Sequence, residues 1–403
     1  MKNFHKTLST IGLFILVAVA CSKKESEIAQ IPVSYEAIKT AFGDNINLNN
    51  LAEYAGQTKP NYILKDNTGG NTITNIKATI GRVLFYDKSL SINNTISCSS
   101  CHKQEFAFSA PEIVSSGVAG GLTSKHSMRL INSRFAVERK FFWDERAGSL
   151  ELQTTQPIQD HAELGFSGQN GRPGFSVLLS KLQALGYYNE LFKFAYNDIN
   201  VTEARIQECL AQFIRSIQSF DSKYDVGRAL VANDNQNFPN FTQTENAGKN
   251  LFTATPVFDS NSSRIGGGIG CNDCHNSPEF DIDPNSRNNG IIGQASGTGR
   301  DLTNTRSPTL RNLTKTDRRV NSPMMHTGAI GSLRAVVNHY NSINLGPGQN
   351  LNIDPRLAPN GIGQKLNLTE NEIIAVVSFL ETLAGTNVYT DKKWGDPFLM
   401  AKN

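Results

Sequence analysis

The sequence predicts a mainly helical protein of two similar domains, each wrapped by long loops. Three observations carry that prediction: a five-residue motif that occurs twice, a short helical stretch ahead of each copy, and apolar helical stripes that follow. The motif is Cys98-Ser99-Ser100-Cys101-His102, and it returns as Cys271-Asn272-Asp273-Cys274-His275. C-x-x-C-H is the signature of covalent c-type haem attachment. Its thiols add to the haem vinyl groups, and its histidine gives the iron one axial nitrogen. A single copy also fits half a zinc site or a redox dithiol. Zinc would want four Cys/His ligands per site, and a dithiol needs no histidine after its second cysteine. Two complete copies therefore predict two covalent haem c groups.

Ile80-Gly81-Arg82-Val83-Leu84-Phe85-Tyr86-Asp87 precedes the first motif, and Ala247-Gly248-Lys249-Asn250-Leu251-Phe252 precedes the second. Both read as a short helix with Gly near its start and Leu-Phe on the buried side. This internal repeat of helix, loop and motif predicts two homologous domains. Thr242 and Glu245 form a capping-box pattern at the second helix. After it, residues 259–263 and Gly266-Gly267-Gly268 read as a flexible insertion. Ile206, Leu210, Phe213, Ile214 and Ile217 recur at helical spacing behind Thr202, a candidate N-cap. Ile373, Ile374, Val377, Leu380 and Leu383 do the same behind Thr369, with Gly385 as the stop. No sustained alternation of a β-strand is present. The predicted organisation is 61–232 for the first domain, 233–239 for the linker and 240–403 for the second.

The first twenty residues form a targeting segment. Lys2 and Lys6 precede the apolar run Ile11–Val19, which is too short for a standard membrane helix. Ala18-Val19-Ala20-Cys21 then resembles a bacterial lipobox, which makes 1–20 a lipoprotein signal peptide and Cys21 the lipidated residue. An ordinary signal peptide cut nearby, with Cys21 incidental, is the other reading. Residues 21–60 read as a tether and surface-wrapping segment. Export places the protein in the periplasm or cell envelope, held to the membrane through the lipid alone, and agrees with haem c attachment outside the cytoplasm. One of the six cysteines goes to lipid and four to haem, so Cys209 is left as a small buried residue and no disulfide framework exists. A net charge of +3 gives no push toward nucleic acid.

With one histidine per iron, two sixth positions need occupants. Met325, in the loop Ser322-Pro323-Met324-Met325-His326-Thr327-Gly328, is a candidate thioether ligand; the alternative is a core filler. Trp143, between Phe142 and Asp144, is a buried ring or an electron stepping stone. Glu163, in a Gly-containing loop, is a general acid/base over an open iron or an ordinary surface carboxylate.

These pieces together resemble the bacterial dihaem cytochrome c peroxidases, the family that also holds the MauG-type enzymes. The matching set runs from Gly81 with Leu84-Phe85-Tyr86-Asp87 and Leu90-Ser91 to the first motif. It continues with Leu130-x-Asn132, Phe142-Trp143-Asp144-x-Arg146-Ala147, Gln153, Pro157 and Glu163-Leu164-Gly165. The second motif, Ser307-Pro308-Thr309-Leu310-Arg311-Asn312, Met325-His326-x-Gly328 and His339-Tyr340-Asn341 complete it. The resemblance implies two cytochrome c-like haem domains packed together, mainly α, with long loops. It implies His102 as proximal ligand of a peroxide-reacting haem, with Glu163 and Gln153 on the distal face. It implies His275 and Met325 as the axial pair of an electron-supplying haem, with Trp143 between the two. A calcium ion is implied at the domain interface, on Asn132 and on carbonyls near Arg306 and Pro308. The implied activity is reduction of hydrogen peroxide to water with electrons from a small exported cytochrome c or cupredoxin, often in a homodimer. The other readings are MauG-like oxidation of a protein or small-molecule substrate, and a non-enzymatic dihaem electron carrier.

This chain departs from the family pattern in places. Glu145 stands where Gly is usual, Lys125-His126-Ser127-Met128-Arg129-Leu130 replaces Arg-Asn-x-Pro-x-Leu, and Thr327 replaces Asp. His126 lies near the loop that supplies a resting sixth ligand in some family members. A loop histidine bonded to a haem propionate or to solvent is the alternative.

Overall fold

The computed structural model describes residues 35–399 apart from 138–139, 283–285 and 346–349. The signal peptide, Cys21 and the first part of the expected tether lie outside the described residues. Tyr35 onward forms one compact unit. Its helices are α1 (Glu36–Phe42), α2 (Asn75–Tyr86), α3 (Cys98–Cys101), α4 (Leu150–Gln159), α5 (Phe175–Gln183), α6 (Gly186–Tyr196), α7 (Glu203–Ser216), α8 (Lys223–Arg228), α9 (Gln243–Thr253), α10 (Leu333–Asn341) and α11 (Glu370–Glu381). Among the described residues, no helix is long and apolar enough to cross a membrane.

Side-chain chemistry fixes the helix ends. Thr202 Oγ1 accepts the Arg205 N–H at 3.3 Å and starts α7. Thr242 with Glu245 and Thr369 with Glu372 both close complete capping boxes, opening α9 and α11. α2 begins at Asn75, earlier than its apolar pattern, because Thr74 caps it.

Two hydrophobic clusters result. The first is centred on α2 and α7, with Ile80, Val83, Leu84 and Phe85 of α2 against Ile206, Leu210, Phe213 and Ile214 of α7. It also takes Ile38, Phe42 and Tyr54 from the N-terminal segment and Val388 and Trp394 from the C-terminal stretch. The second is centred on α9 and α11, with Phe252 against Ile373, Val376, Phe379 and Leu380. Full burial of each such side chain contributes about 1.5–3 kcal/mol. Phe238, in the expected linker, is buried in this second cluster, and Asn246 Oδ1 accepts its N–H at 2.8 Å.

The same device brings each helix pair together. A Cβ on Gly81 of α2 would lie 2.0 Å from the Cys209 carbonyl oxygen of α7, and one on Gly248 of α9 would lie 1.9 Å from the Ala375 oxygen of α11. Each crossing is thus closed to any larger residue. Gly248→Ala is expected to lower stability by about 1–3 kcal/mol despite alanine's better helix propensity. Thermal unfolding checks this, and an unchanged or higher Tm would mean that the helices slide apart freely.

Short antiparallel ladders occur where the sequence suggested none. β1 (Pro256–Phe258) pairs with β2 (Arg264–Gly267), and β3 (His275–Asn276) with β4 (Asp281–Ile282). The expected flexible insertion is the turn of the first hairpin. Asp259 Oδ1 accepts the N–H groups of Asn261 and Ser263, each at 2.9 Å, and pins it.

Candidate haem-binding sites

α3 is a single turn whose start is held by a capping box between Ser97 and Ser100. The turn sets Cys98 and Cys101 on one side and delivers His102 directly after them. The Phe108 carbonyl lies 3.1 Å from His102 Nδ1, which orients the ring and leaves Nε2 for a metal. Burial pulls the His102 pKa down to about 4, so the imidazole is neutral. The ring borders a cavity of about 820 Å³ that also touches Cys101, Trp143, Gln153 and Glu163. The residues expected on this face are therefore brought together.

Glu163 is fixed by its backbone. Asp160 Oδ1 accepts the N–H groups of Ala162 at 2.8 Å and Glu163 at 3.0 Å, and the Glu163 carbonyl accepts from Val118 at 2.8 Å. That last contact needs a bare backbone opposite, since a Cβ on Gly117 would sit 1.9 Å from the Ala162 oxygen. Burial raises the Glu163 carboxyl to a pKa of about 7, repulsion from Asp160 adds to this, and Arg146 opposes it. A second, more open cavity of about 590 Å³ shares Arg146, Pro157 and Glu163 with the first and adds Gln156, Gln159 and Asp160. It is a polar approach from outside to the Glu163 carboxyl.

At the second motif, two cavities of about 690 and 660 Å³ share His275, Asn289 and Tyr340. Met325 lines one, and Cys271 and Cys274 line the other. Burial holds His275 at a pKa of about 4, against an opposing pull from the Pro308 carbonyl. Asn289 Nδ2 lies 3.6 Å from the Met325 sulfur, which fixes the thioether in the cavity.

One correspondence was not read from the sequence. Phe141 bridges Ala147, and Met324 bridges Ile330, at the same spacing. In the first loop φ is positive at Phe142 and Glu145; in the second it is positive at Met325 and Gly328. Ser149 caps α4 behind the first loop, and Ser332 caps α10 behind the second. The stretch 141–149 is therefore the structural twin of 324–332. Phe142 occupies the position of Met325, and Trp143 that of His326. The signal was present in the two aligned stretches, but neither shows a shared residue until Gly148/Gly331 and Ser149/Ser332. Phe142 offers no lone pair to a metal; Met325 does.

Trp143 lines both the first cavity and the Met325 cavity. Its Nε1 donates to the His126 carbonyl at 2.7 Å, and its own carbonyl accepts from Arg306 at 2.8 Å. The His126 N–H donates to the His326 carbonyl at 2.9 Å. The His126 ring faces other partners: Nδ1 lies 3.0 Å from the Glu112 carbonyl and Nε2 3.3 Å from Ser109 Oγ.

Both motifs fit haem c. No disulfide joins the motif cysteines, and burial pushes the thiols of Cys98, Cys101 and Cys271 up to about 12, 11 and 12. Among the described residues, no three His, Cys, Asp or Glu side chains converge as a metal-holding group. The calcium donors fit poorly. Asn132 Oδ1 accepts the Ser219 N–H at 2.8 Å and Nδ2 donates to the Ser219 carbonyl at 3.1 Å. The small cavity beside Asn132, which Pro308 and Arg306 also line, contains Arg129 and no carboxylate.

Residues 75–233 match the family model described as di-haem cytochrome c peroxidase. The methylamine utilization protein MauG of Methylophilus methylotrophus is 26% identical over 323 residues, 78% of this chain and 84% of that one. Cytochrome c551 peroxidase of Nitrosomonas europaea is also 26% identical, over 76% of this chain and 80% of its own. A solved MauG-like protein associated with microbial copper homeostasis superposes with a TM-score of 0.62 at 25% identity, covering 85% of this chain and 99% of that one. The diheme peroxidase BthA from Burkholderia thailandensis shares the fold, with a TM-score of 0.61 at 18% identity over 86% of this chain and 96% of its own. The repeated motif, the mostly helical fold and these likenesses agree: residues 75–233 match the di-haem cytochrome c peroxidase family, and the chain is similar both to its peroxidases and to MauG proteins.

Proposed function

We propose that this chain reduces hydrogen peroxide to water, with electrons from a small exported cytochrome c or cupredoxin. The observation that carries the reading is the unequal pair of loops. Phe142 brings no ligand atom to the cavity that Glu163 also lines, while its twin Met325 brings sulfur to the other. Haem c, when bound at the two motifs, supplies an iron that polarises peroxide and a second iron that stores an electron.

His102 and His275 would hold the haem irons through imidazoles kept neutral by burial. Glu163 would take the proton from the near oxygen of peroxide and give it to the far one, which leaves as one water; two electrons from the donor and two protons then turn the remaining oxygen into the second. Its pKa of about 7 suits both acts at neutral pH. Gln153 orients the bound oxygen pair by hydrogen bonding. Phe142 and Pro157 keep bulk water off that face. Trp143 shortens the path for electrons between the two cavities. Arg146, with Asp160, frames a polar entrance suited to a small neutral oxidant. Export and anchoring through Cys21 would place this chemistry outside the cytoplasm, beside its electron donors.

MauG-like oxidation of a protein partner is the second reading, and the relatives weigh equally on both, each at 26% identity. The test is a reductive titration followed by peroxide turnover on the same haem-stained sample. The peroxidase reading expects two separated haem potentials and sustained turnover with a reduced donor. A long-lived doubly oxidised spectrum without donor turnover would favour the MauG-like reading. Failure of peroxide and cyanide to bind either haem would leave an electron carrier.

A further inference from the structure

The residues implied for calcium do meet. Asn132, Arg306 and Pro308 line one small cavity of about 280 Å³. What they offer there is not a calcium shell. Calcium takes about 6–8 oxygen ligands, with carboxylates prominent among them. The side-chain oxygens of this cavity belong to Asn132, Ser133 and Thr309, and none is a carboxylate. Each is already engaged by the chain. Asn132 Oδ1 accepts the Ser219 N–H, Ser133 Oγ donates to the Leu130 carbonyl, and Thr309 Oγ1 accepts the Arg311 N–H at 3.3 Å.

The cavity holds positive charge of its own. Arg129, in the stretch 125–130 that departs from the family pattern, lines it together with Arg306. Arg129 is 8% exposed, and its Nη2 donates to Ser322 Oγ at 2.9 Å. Its Nε reaches no acceptor, and no carboxylate forms an ion pair with it among the described residues. Burial lowers its pKa only to about 10, so the guanidinium stays charged at neutral pH. Arg306 is buried as well, with its guanidinium 4.6 Å from the Phe141 ring centroid. A divalent cation brought beside such a buried charge is repelled, the more strongly because little water screens it.

We propose that Arg129 is the built-in cation of this cavity: its guanidinium takes the place for which calcium is implied, and the protein works without the metal. Arg129 also lines both larger cavities, beside Trp143, so its charge faces the two places where haem is expected. A fixed positive charge favours the iron state that carries less positive charge, the ferrous one, and so raises the potential at each site. A buried ion without a counter-charge is costly; haem c carries carboxylates of its own, the propionates, into these cavities. Calcium can be drawn off by a chelator, whereas a side chain cannot. The inference needs the two haems but not the oxidant, so it goes beyond the peroxide reading.

The test uses the full dihaem protein. Metal analysis after desalting, thermal melts and redox titrations are run with calcium added and with EGTA. The expected result is no retained calcium, with the same Tm and the same pair of potentials in both solutions. Arg129→Met is expected to lower both potentials, and Arg129→Lys, which keeps the charge, to hold them near wild type. Stoichiometric calcium in the wild type, with a Tm or potential that falls in EGTA, overturns the proposal. So do Arg129→Met potentials that match wild type. Arg129→Lys behaving like Arg129→Met overturns it too, because shape and not charge would then be at work. If Arg129→Met fails to take up haem, the wild-type comparison in calcium and EGTA stands as the test by itself. Peroxide turnover is not read, so failure of the peroxide reading leaves this test untouched.

Discussion

Glu163→Gln is expected to lower peroxide turnover by about 10²–10⁴-fold, the usual share of a positioned general acid/base. Both haems should remain bound, because Glu163 contacts neither motif and its loop is held by Asp160 and Val118 through main-chain groups. The variant also has a pH signature. The carboxyl must be ionised to accept the peroxide proton, so wild-type turnover should rise as pH passes through about 7. Glutamine does not titrate, and that limb should vanish. The stability effect has the opposite slope. From about 4.5 to about 7 the native protein keeps a proton that the unfolded chain has lost, so stability falls as pH rises across that window. Steady-state assays across pH, with haem quantified on the same samples, check the first. Denaturant melts at two pH values check the second. Full activity in the variant would remove Glu163 from the mechanism.

Arg311→Leu should cost about 3–5 kcal/mol of stability, the usual penalty for orphaning a buried charge. Arg311 has no exposed surface, and its Nη1 pairs with Asp225 at 2.9 Å while Nη2 donates to the Pro278 carbonyl at 2.9 Å. The guanidinium also lies 5.0 Å from the Phe220 ring centroid and 5.5 Å from that of Tyr224. Asp225 is itself 5% exposed and closes the capping box of α8. Without Arg311 the Asp225 carboxylate loses its cationic partner and is left with donors from Ser222 and Tyr62. Urea unfolding measures the loss. Asp225→Asn in the same background should recover part of it, because the amide keeps the cap and removes the orphan charge. A loss under about 1 kcal/mol would mean that solvent reaches the carboxylate in the variant.

The parts of this fold that were legible in the sequence are those specified within a few residues. Thr202, Thr242 and Thr369 cap the helices they were expected to cap, because a cap is a contact with the next turn. The two C-x-x-C-H turns were legible for the same reason. α4 was not, because Gln153-Thr154-Thr155-Gln156 carries no apolar period and Pro157 sits inside the helix. Its Thr154 and Thr155 are nonetheless buried, Thr155 through a hydrogen bond to Glu203 at 3.0 Å. The β1–β2 hairpin was hidden because glycines and serines suggest looseness, whereas Asp259 supplies the turn. The residues expected around His102 do share one cavity, but they reach it from α3, α4 and separate loops. Their meeting was expected from family resemblance and from no local pattern. The Phe142–Met325 equivalence depends on left-handed backbone at non-glycine residues, which no local pattern announces.

The His126 segment is moored to the body of the molecule at several points. Its amide holds His326, its carbonyl receives Trp143, and its ring is tied to the Glu112 carbonyl. Swinging the ring alone would sever its contacts with Glu112 and Ser109, whereas moving the segment would also break the two main-chain ties, at about 0.5–1.5 kcal/mol each. Moving the segment would release the indole and loosen the loop that carries Met325. A shift of the His126 main chain would therefore reach Trp143 and the Met325 loop together.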